Sequence, residues 1–298
     1  MFNIFKTIKY LYLHPLTKGK GLAVLKKFFY WQFANLLSTE KRIFHWVNDS
    51  KLIVGKGETG VTGNYYNGLM EYEDMLFLLH SLRKENIFID IGANAGVYSV
   101  LASKVIGCKT IAFEPINETF ERLLDNININ RIGDRVTAIN KGVGSKLGEL
   151  YFTNDSDTTN KVSLNIGKNT STVKVTTIDS EFDESEGFYV LKIDVEGYET
   201  EVLKGSENLL KSGKITTIIV ELNGSGEEFG HNDNEIDRLI CSFGYSAIKY
   251  NPINRKIEEI DSPRKFGNTI YVKDIELTKS LCSNAKSVVI HSAFNKTI

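Results

Sequence analysis

Cysteine is scarce in this chain: Cys108, Cys241 and Cys282 are odd in number, lie far apart and include no Cys-x-x-Cys pair. Neither a disulfide framework nor a structural zinc site follows, and a reducing cytoplasm is the expected compartment. An excess of one charge is also lacking. With 36 Lys and Arg against 37 Asp and Glu the formal net charge is −1, which argues against a general nucleic-acid binder, because such proteins carry a clear basic excess. No secretory leader or spanning segment is visible: the most apolar N-terminal run, Leu22 to Leu37, is interrupted by Lys26, Lys27, Gln32 and Asn35. Internal repeats and low-complexity stretches are missing too. What is there is a chain of 298 residues with ordinary apolar and charged fractions, long enough to bury the core of one large domain with an extension.

The charge is unevenly placed. Between Met1 and His45 eight Lys or Arg stand against one acid, Glu40, and aromatic residues such as Phe5, Tyr12, Phe28, Trp31 and Phe33 interleave with them. Two helical segments are predicted over residues 1–50, broken around His14-Pro15 and Gly19 to Gly21. The simpler expectation is a helical cap whose aromatics pack on the main domain. The other is peripheral contact with an anionic membrane surface through this basic N-terminus.

Residues 87–100 organise the rest. Ile87-Phe88-Ile89-Asp90-Ile91 is an apolar run carrying an acid near its end, followed by Gly92 and Gly96 and then apolar residues at helical spacing. That is the order of a buried strand, a tight turn and a helix start. In an open α/β sheet, ligands bind outside the carboxyl ends of the strands, where this turn would lie. Strand and helix patterns then alternate: strand 87–91, helix 95–105, strand 110–113, helix 117–129, strand 135–140. Two antiparallel strands, 149–153 and 173–178, are predicted to flank a polar loop or flap, Asn154 to Ser171. Alternation resumes with strand 189–194, helix 199–211, strand 215–221, a helix at 233–243 and strands near 245–249 and 268–273, before a short polar tail. The predicted fold is α/β, a mostly parallel sheet with helices on both faces. Residues 1–50 are assigned to the basic, aromatic-rich extension, 51–275 to the main domain and 276–298 to the tail. Within the main domain, Lys51 to Val54 reads as a short strand and Glu71 to Lys84 as a helix. Between them, Gly55 to Gly68 reads as a Gly-rich loop whose Tyr65 and Tyr66 suit hydrogen bonding and stacking with a polar substrate.

Four strands end in acids: Asp90, Glu114, Asp194 with Glu196, and Glu221 with Asn223. One such acid is ordinarily a helix cap; four gathered along one sheet edge form a constellation. Glu114 follows Gly96 by eighteen residues, a place from which a carboxylate can accept both hydroxyls of an adenosine ribose. A dinucleotide loop wants Gly-x-Gly-x-x-Gly to seat a pyrophosphate. Here the loop is Asp90-x-Gly92-x-Asn94-x-Gly96, and its leading acid repels a pyrophosphate and favours a cationic sulfonium cofactor.

In these segments the chain resembles the FkbM-type S-adenosylmethionine-dependent methyltransferases. The resemblance rests on Phe88 to Gly96, Ala112-Phe113-Glu114-Pro115, Leu191 to Glu199, Val202-Leu203-Lys204-Gly205 and Ile218-Ile219-Val220-Glu221, with Gly63 to Met75 upstream. It covers roughly residues 60–275. It implies a Rossmann-like methyltransferase sheet whose last strand is antiparallel, and O-methylation of a carbohydrate, glycan or natural-product hydroxyl. It also implies that Asp90, Gly92, Asn94 and Gly96 hold the methionine part of S-adenosylmethionine, that Glu114 holds the ribose and Asn140 the adenine edge. Asp194 and Glu196 would lie where methyl meets acceptor.

A general base must remove the hydroxyl proton. Asp194, Glu196 and Glu221 are the candidates, with His231 as a fourth that reads more simply as a loop histidine. No metal is expected; the alternative would place Mg²⁺ between Asp194, Glu221 and Asn223. Competing functions are an NAD-linked Rossmann oxidoreductase, which lacks its glycine fingerprint here and an obvious Tyr-x-x-x-Lys, and a non-enzymatic glycan-binding protein that retains the fold. Nucleic-acid amino-methylation is disfavoured because Asp194-Val195-Glu196-Gly197 stands where an Asn/Asp-Pro-Pro-aromatic turn is usual.

Overall fold

A computed structural model describes residues 4–153, 162–163, 170–182, 187–264, 267–292 and 295–298. An eight-stranded sheet forms its centre. The strands β3 (Ile87–Ile91), β4 (Lys109–Phe113), β5 (Val136–Ile139), β10 (Tyr189–Ile193) and β11 (Ile215–Glu221) are parallel to one another. The strands β12 (Ser246–Asn251), β13 (Lys256–Glu259) and β14 (Asn268–Val272) complete it. The spatial order is β13-β12-β14-β11-β10-β3-β4-β5, with β14 antiparallel to both β11 and β12. This is the expected mostly parallel sheet, with its last long strand antiparallel.

Every residue of β3, β10 and β14 is buried, as the continuous apolar runs require of strands covered on both faces. Because side chains alternate across a strand, Phe88, Val190 and Ile219 enter one core. Ile89, Leu191 and Ile218 enter the other. The first core is closed by α4 (Tyr72–Ser81), the short α5 (Val97–Val100) continuing in π-helical turns to Ile106, and α6 (Asn117–Asn130). The second is closed by α8 (Glu199–Lys204), α9 (Glu207–Lys211) and α10 (Asp233–Ser242). The single helix expected over 199–211 is thus two: at the break a Cβ on Gly205 would stand 2.0 Å from the Gly144 carbonyl oxygen, so the chain passes too close to permit a side chain.

A smaller sheet of β6 (Gly142–Val143), β7 (Gly148–Thr153), β8 (Val162–Ser163) and β9 (Thr170–Thr176) lies after β5, with β7 and β9 antiparallel as predicted. The flap read from Asn154 to Ser171 falls mostly outside the described residues. A short helix, α7 (Ile178–Glu181), leads back towards β10.

The N-terminal part forms α1 (Ile4–Leu13), α2 (Gly21–Leu37), and a hairpin of β1 (Arg42–His45) with β2 (Lys51–Val54). The Gly-rich stretch read as a loop contains a helix, α3 (Thr59–Asn67). Its local propensity is poor, and tertiary contacts make it: Tyr65 packs on Trp31 with ring centroids 5.0 Å apart, Tyr66 lies 5.5 Å from Phe28, and Val61 is buried. Residues read as a polar tail instead form α11 (Ile275–Ser283) and a hairpin of β15 (Val289–His291) with β16 (Asn295–Thr297). Widely spaced Cys282, Val288 and Ile290 are buried, and the His291 N–H donates to the Trp46 carbonyl, stitching the C-terminal hairpin to the turn between β1 and β2. Among the described residues no helix is long and apolar enough to cross a membrane.

Candidate active site

The carboxyl ends of β3, β4, β10 and β11 open onto one cavity of about 250 Å³. Strand register brings the chemistry together. Asp90 on β3 is the direct partner of Lys192 on β10, and Ile193 of Val220, so Asp194 and Glu221, one residue further on, meet at the strand ends. Asp90, Glu114, Lys192, Asp194, Glu196 and Glu221 all line the cavity.

The loop after β3 shows why its residues are what they are. Gly92 has φ +78°, and a Cβ there would stand 1.9 Å from the Asp194 carbonyl oxygen, so only glycine lets the β3 and β10 loops approach. Asn94 also adopts the left-handed conformation, φ 50°, which Asn tolerates better than most residues. Glu114 is buried and ties this loop to β4: its Oε2 accepts the Asn94 N–H at 2.9 Å and its Oε1 the Ile116 N–H at 2.9 Å. Burial pushes its carboxyl up to about 7 against the pull of those two hydrogen bonds. Each oxygen keeps a lone pair free for a further donor. Asp90 is raised to about 6 by burial, although Lys192 and the Ser99 hydroxyl, donating at 2.6 Å, favour its charged form.

Lys192 is the residue that sequence reasoning missed. Among the described residues it is the one buried Lys or Arg, 2 % exposed. Its ammonium donates to Asp194 Oδ2 at 2.6 Å and sits 4.7 Å from the centre of the Tyr98 ring. Burial works against its charge, but Asp194, Glu71 and Asp90 together hold its pKa above that of an ordinary lysine. A signal was available: a lysine inside the apolar run Val190-Leu191-Lys192-Ile193 must be paired if it is buried. Burial also penalises the Asp194 charge, yet the Lys192 ammonium keeps this carboxyl below its usual range. Glu221 goes the other way, pushed well up by burial and by the Asp194 charge, and shares a hydrogen bond with it. Of the two, Glu221 therefore keeps its proton to the higher pH.

Glu196 completes the group: one carboxylate oxygen from each of Asp194, Glu196 and Glu221 lies within 4.8 Å of the others. Glu196 itself has φ 53°, a strained conformation for a residue with a side chain. The turn is held by buried Glu199, whose Oε1 accepts the N–H groups of Val195 at 3.3 Å and Gly197 at 3.1 Å. Thr59, Gly60 and Asn64 of α3, and Glu71, also line the cavity.

Gly92 and Asn94 line the cavity as well, whereas Gly96 and the remaining sequence-predicted residues lie outside its lining. Asn140 donates to the Glu114 and Pro115 carbonyls at 2.9 and 3.2 Å. Tyr65 and Tyr66 face α2. Asn223 is exposed, its Oδ1 accepting the Ser225 N–H at 3.0 Å. His231 sits 3.6 Å from Glu201.

A glycine loop at the first strand, an acid on the second and a carboxylate pair across the fourth and fifth define the Rossmann-like methyltransferase class. The family model described as Methyltransferase FkbM domain matches residues 90–247, more than half of the chain, and the chain belongs to that family. The hexuronic acid methyltransferase AglP of Haloferax volcanii is 32% identical over 158 residues, which are 51% of this chain and 62% of that protein; the match thus spans less than two thirds of the relative. Among solved structures, a Streptococcus mutans protein described as a methyltransferase, in complex with SAH, overlays with TM-score 0.40 at 14% identity, covering 67% of this chain and 94% of that one. A precorrin-6y C5,15-methyltransferase from Geobacter metallireducens gives 0.39 at 11%, covering 68% and 87%. These overlays are partial, and the strand order and register carry the fold on their own.

Proposed function

We propose that this chain is an S-adenosylmethionine-dependent O-methyltransferase acting on a carbohydrate hydroxyl. The observation that carries the reading is the Asp194–Glu221 pair at the ends of neighbouring strands, in the same cavity as the glycine loop and Glu114. The residues present fit the cofactor. Glu114 has an acceptor lone pair for each ribose hydroxyl, and the acidic wall of Asp90, Asp194 and Glu196 suits a ligand carrying ammonium and sulfonium charges. That wall opposes the pyrophosphate of NAD. When bound, S-adenosylmethionine would supply an electrophilic methyl group.

The chain's own part is to hold the acceptor and take its proton. An acceptor hydroxyl donating to the Asp194–Glu221 pair is oriented for in-line attack, and positioning of this kind supplies much of the rate. Lys192 keeps Asp194 charged, and once Glu221 has lost its proton the pair can take the hydroxyl proton at a pH near neutral. A carbohydrate fits this cavity because several hydroxyls can donate at once to Glu71 and Glu196; the name of the Haloferax relative points to sugars bearing a carboxylate as the first acceptors to try. Lys192 already supplies a cation to this cluster, so no metal is assigned to it, and dialysis against EDTA should leave transfer unchanged.

The test is transfer of labelled methyl from S-adenosylmethionine to a panel of neutral and uronic-acid glycans. A label stable to mild base marks an ether at a hydroxyl. A base-labile label would be a methyl ester and would overturn the hydroxyl assignment, and binding of NAD without S-adenosylhomocysteine would overturn the methyltransferase reading.

A second expectation concerns the cofactor alone. Ionised Glu114 accepts from both ribose hydroxyls, whereas protonated Glu114 cannot, so binding favours the charged form and affinity should rise with pH through its value of about 7. Calorimetry with S-adenosylhomocysteine should show Kd tightening by about tenfold between pH 6 and 8, the linkage expected of one titrating group. Glu114→Gln should bind more weakly and lose this slope. A wild-type Kd independent of pH would remove Glu114 from the ribose.

A further inference from the structure

The helix α2 is apolar on two opposite sides. Val24, Phe28, Trp31 and Asn35 are buried against the domain. Leu22, Lys26, Phe29, Phe33 and Leu36 are exposed, and at 3.6 residues per turn they fall on one stripe opposite the buried one. Leu22 is 77% exposed, Phe29 54%, Phe33 61% and Leu36 79%. The exposure is concentrated rather than scattered: ten of the fifteen exposed large apolar side chains among the described residues lie between Tyr10 and Ile43. Single exposed apolar residues need no explanation, whereas a contiguous patch marks a surface that is covered in use.

Charge identifies the covering. Lys26 lies within the stripe, Lys9 lies on α1, and Lys18 and Lys20 lie on the turn leading into α2, all of them exposed. Residues 1–45 carry eight Lys and Arg against one acid in a chain whose total is −1. A second copy packing on the same stripe would set lysine against lysine, because a two-fold contact pairs like with like. A surface of negative charge over an apolar interior answers both features. The helix has 17 residues, about 25 Å at 1.5 Å per residue, and one of its sides is committed to the domain, so it can lie in such a surface and not cross it.

We propose that the outward stripe of α2, with the basic turn before it, docks the protein onto an anionic lipid bilayer, Phe29, Phe33 and Leu36 entering the headgroup–acyl boundary while the lysines meet lipid phosphates. The same helix packs its other side on α3, through Trp31 against Tyr65 and Phe28 against Tyr66, and α3 supplies Thr59, Gly60 and Asn64 to the cavity wall. Docking therefore sets the cavity at a defined position relative to the lipid surface. The inference does not depend on which reaction the cavity carries out.

Co-sedimentation of the full chain with vesicles of equal phosphatidylglycerol and phosphatidylcholine tests it, with pure phosphatidylcholine as comparison. Binding is expected to the anionic vesicles, fading between low and high salt as screening shortens the reach of the lysines. F29S/F33S and K9E/K18E/K26E change exposed residues only, and each should lower the partition coefficient by about tenfold or more with S-adenosylhomocysteine binding and melting temperature unchanged. Absence of vesicle binding would overturn the proposal. So would unchanged binding of F29S/F33S, which would leave charge alone at work. A concentration-dependent dimer in sedimentation velocity, dispersed by F29S/F33S and without vesicle binding, would assign the stripe to self-association instead.

Discussion

Replacing Glu221 by Gln is expected to lower kcat by about 10²–10⁴-fold, the usual share of a general base, with S-adenosylhomocysteine affinity retained. The reasoning starts from the pair. Glu221 is pushed up by burial and by the Asp194 charge, so its proton leaves in the upper of the pair's two titration steps. The pair accepts the acceptor's proton only after that one has gone, and the wild-type rate should climb as pH rises through the upper titration step of the pair. Gln keeps a donor towards Asp194, as the protonated acid does, and leaves packing intact, but it can never become a base; both the rate and its rise with pH should disappear. Stability gives an independent reading. A carboxyl whose folded pKa is raised favours the native state at low pH, and that contribution is lost as pH climbs through the folded value. Native stability should therefore decline from the ordinary carboxylate range up to the upper step in the wild type, levelling off above it, and stay flatter in Glu221→Gln. Retained activity in this variant together with its loss in Glu196→Gln would move the base to Glu196.

Lys192→Met carries the second large effect. Removing one partner of a buried ion pair leaves the other uncompensated, and such changes cost about 3–5 kcal/mol. Here the loss leaves Asp194 beside Asp90 and Glu221 with no cation in the cluster. In the wild type the depressed Asp194 carboxyl contributes stability above the ordinary carboxylate range, which is lost as pH falls through its folded value. In the variant the sign reverses: Asp194 is raised, and stability drops as pH rises through its new value. Denaturation curves at pH 5 and pH 8 should show the deficit smaller at pH 5. Equal deficits at both values would mean that Lys192 contributes packing over Tyr98 and little charge compensation.

The parallel strands of this fold were legible in the chain because each is a short apolar run bounded by glycine or acid, and runs covered on both faces need no help from elsewhere to be recognised. β3, β4, β10 and β11 lie within a residue or two of their predicted limits for that reason. The strand-end acids were legible as well, since a carboxyl in the last position of such a run has only one edge of the sheet to occupy. α3 was not, because its sequence is rich in Gly, Asn and Tyr and its helix rests on α2 stacking against Tyr65 and Tyr66. The C-terminal helix and hairpin were hidden for a similar reason: their buried residues are few and far apart, and their partner is the turn between β1 and β2, some 240 positions away in the chain.

The amino-acid sequence by itself determined the order of strands and helices, the glycine loop and the set of carboxylates along one sheet edge, since these follow from local periodicity and from which residues can end a buried strand. Only the tertiary structure decided how those carboxylates divide their protons. That division depends on register, which sets Lys192 beside Asp90 and Asp194 against Glu221, and on burial, which makes each of those few ångströms count. It also decided that Tyr65 and Tyr66 belong to the core and that one side of α2 is left exposed, because the face a helix buries is set by what stands opposite it.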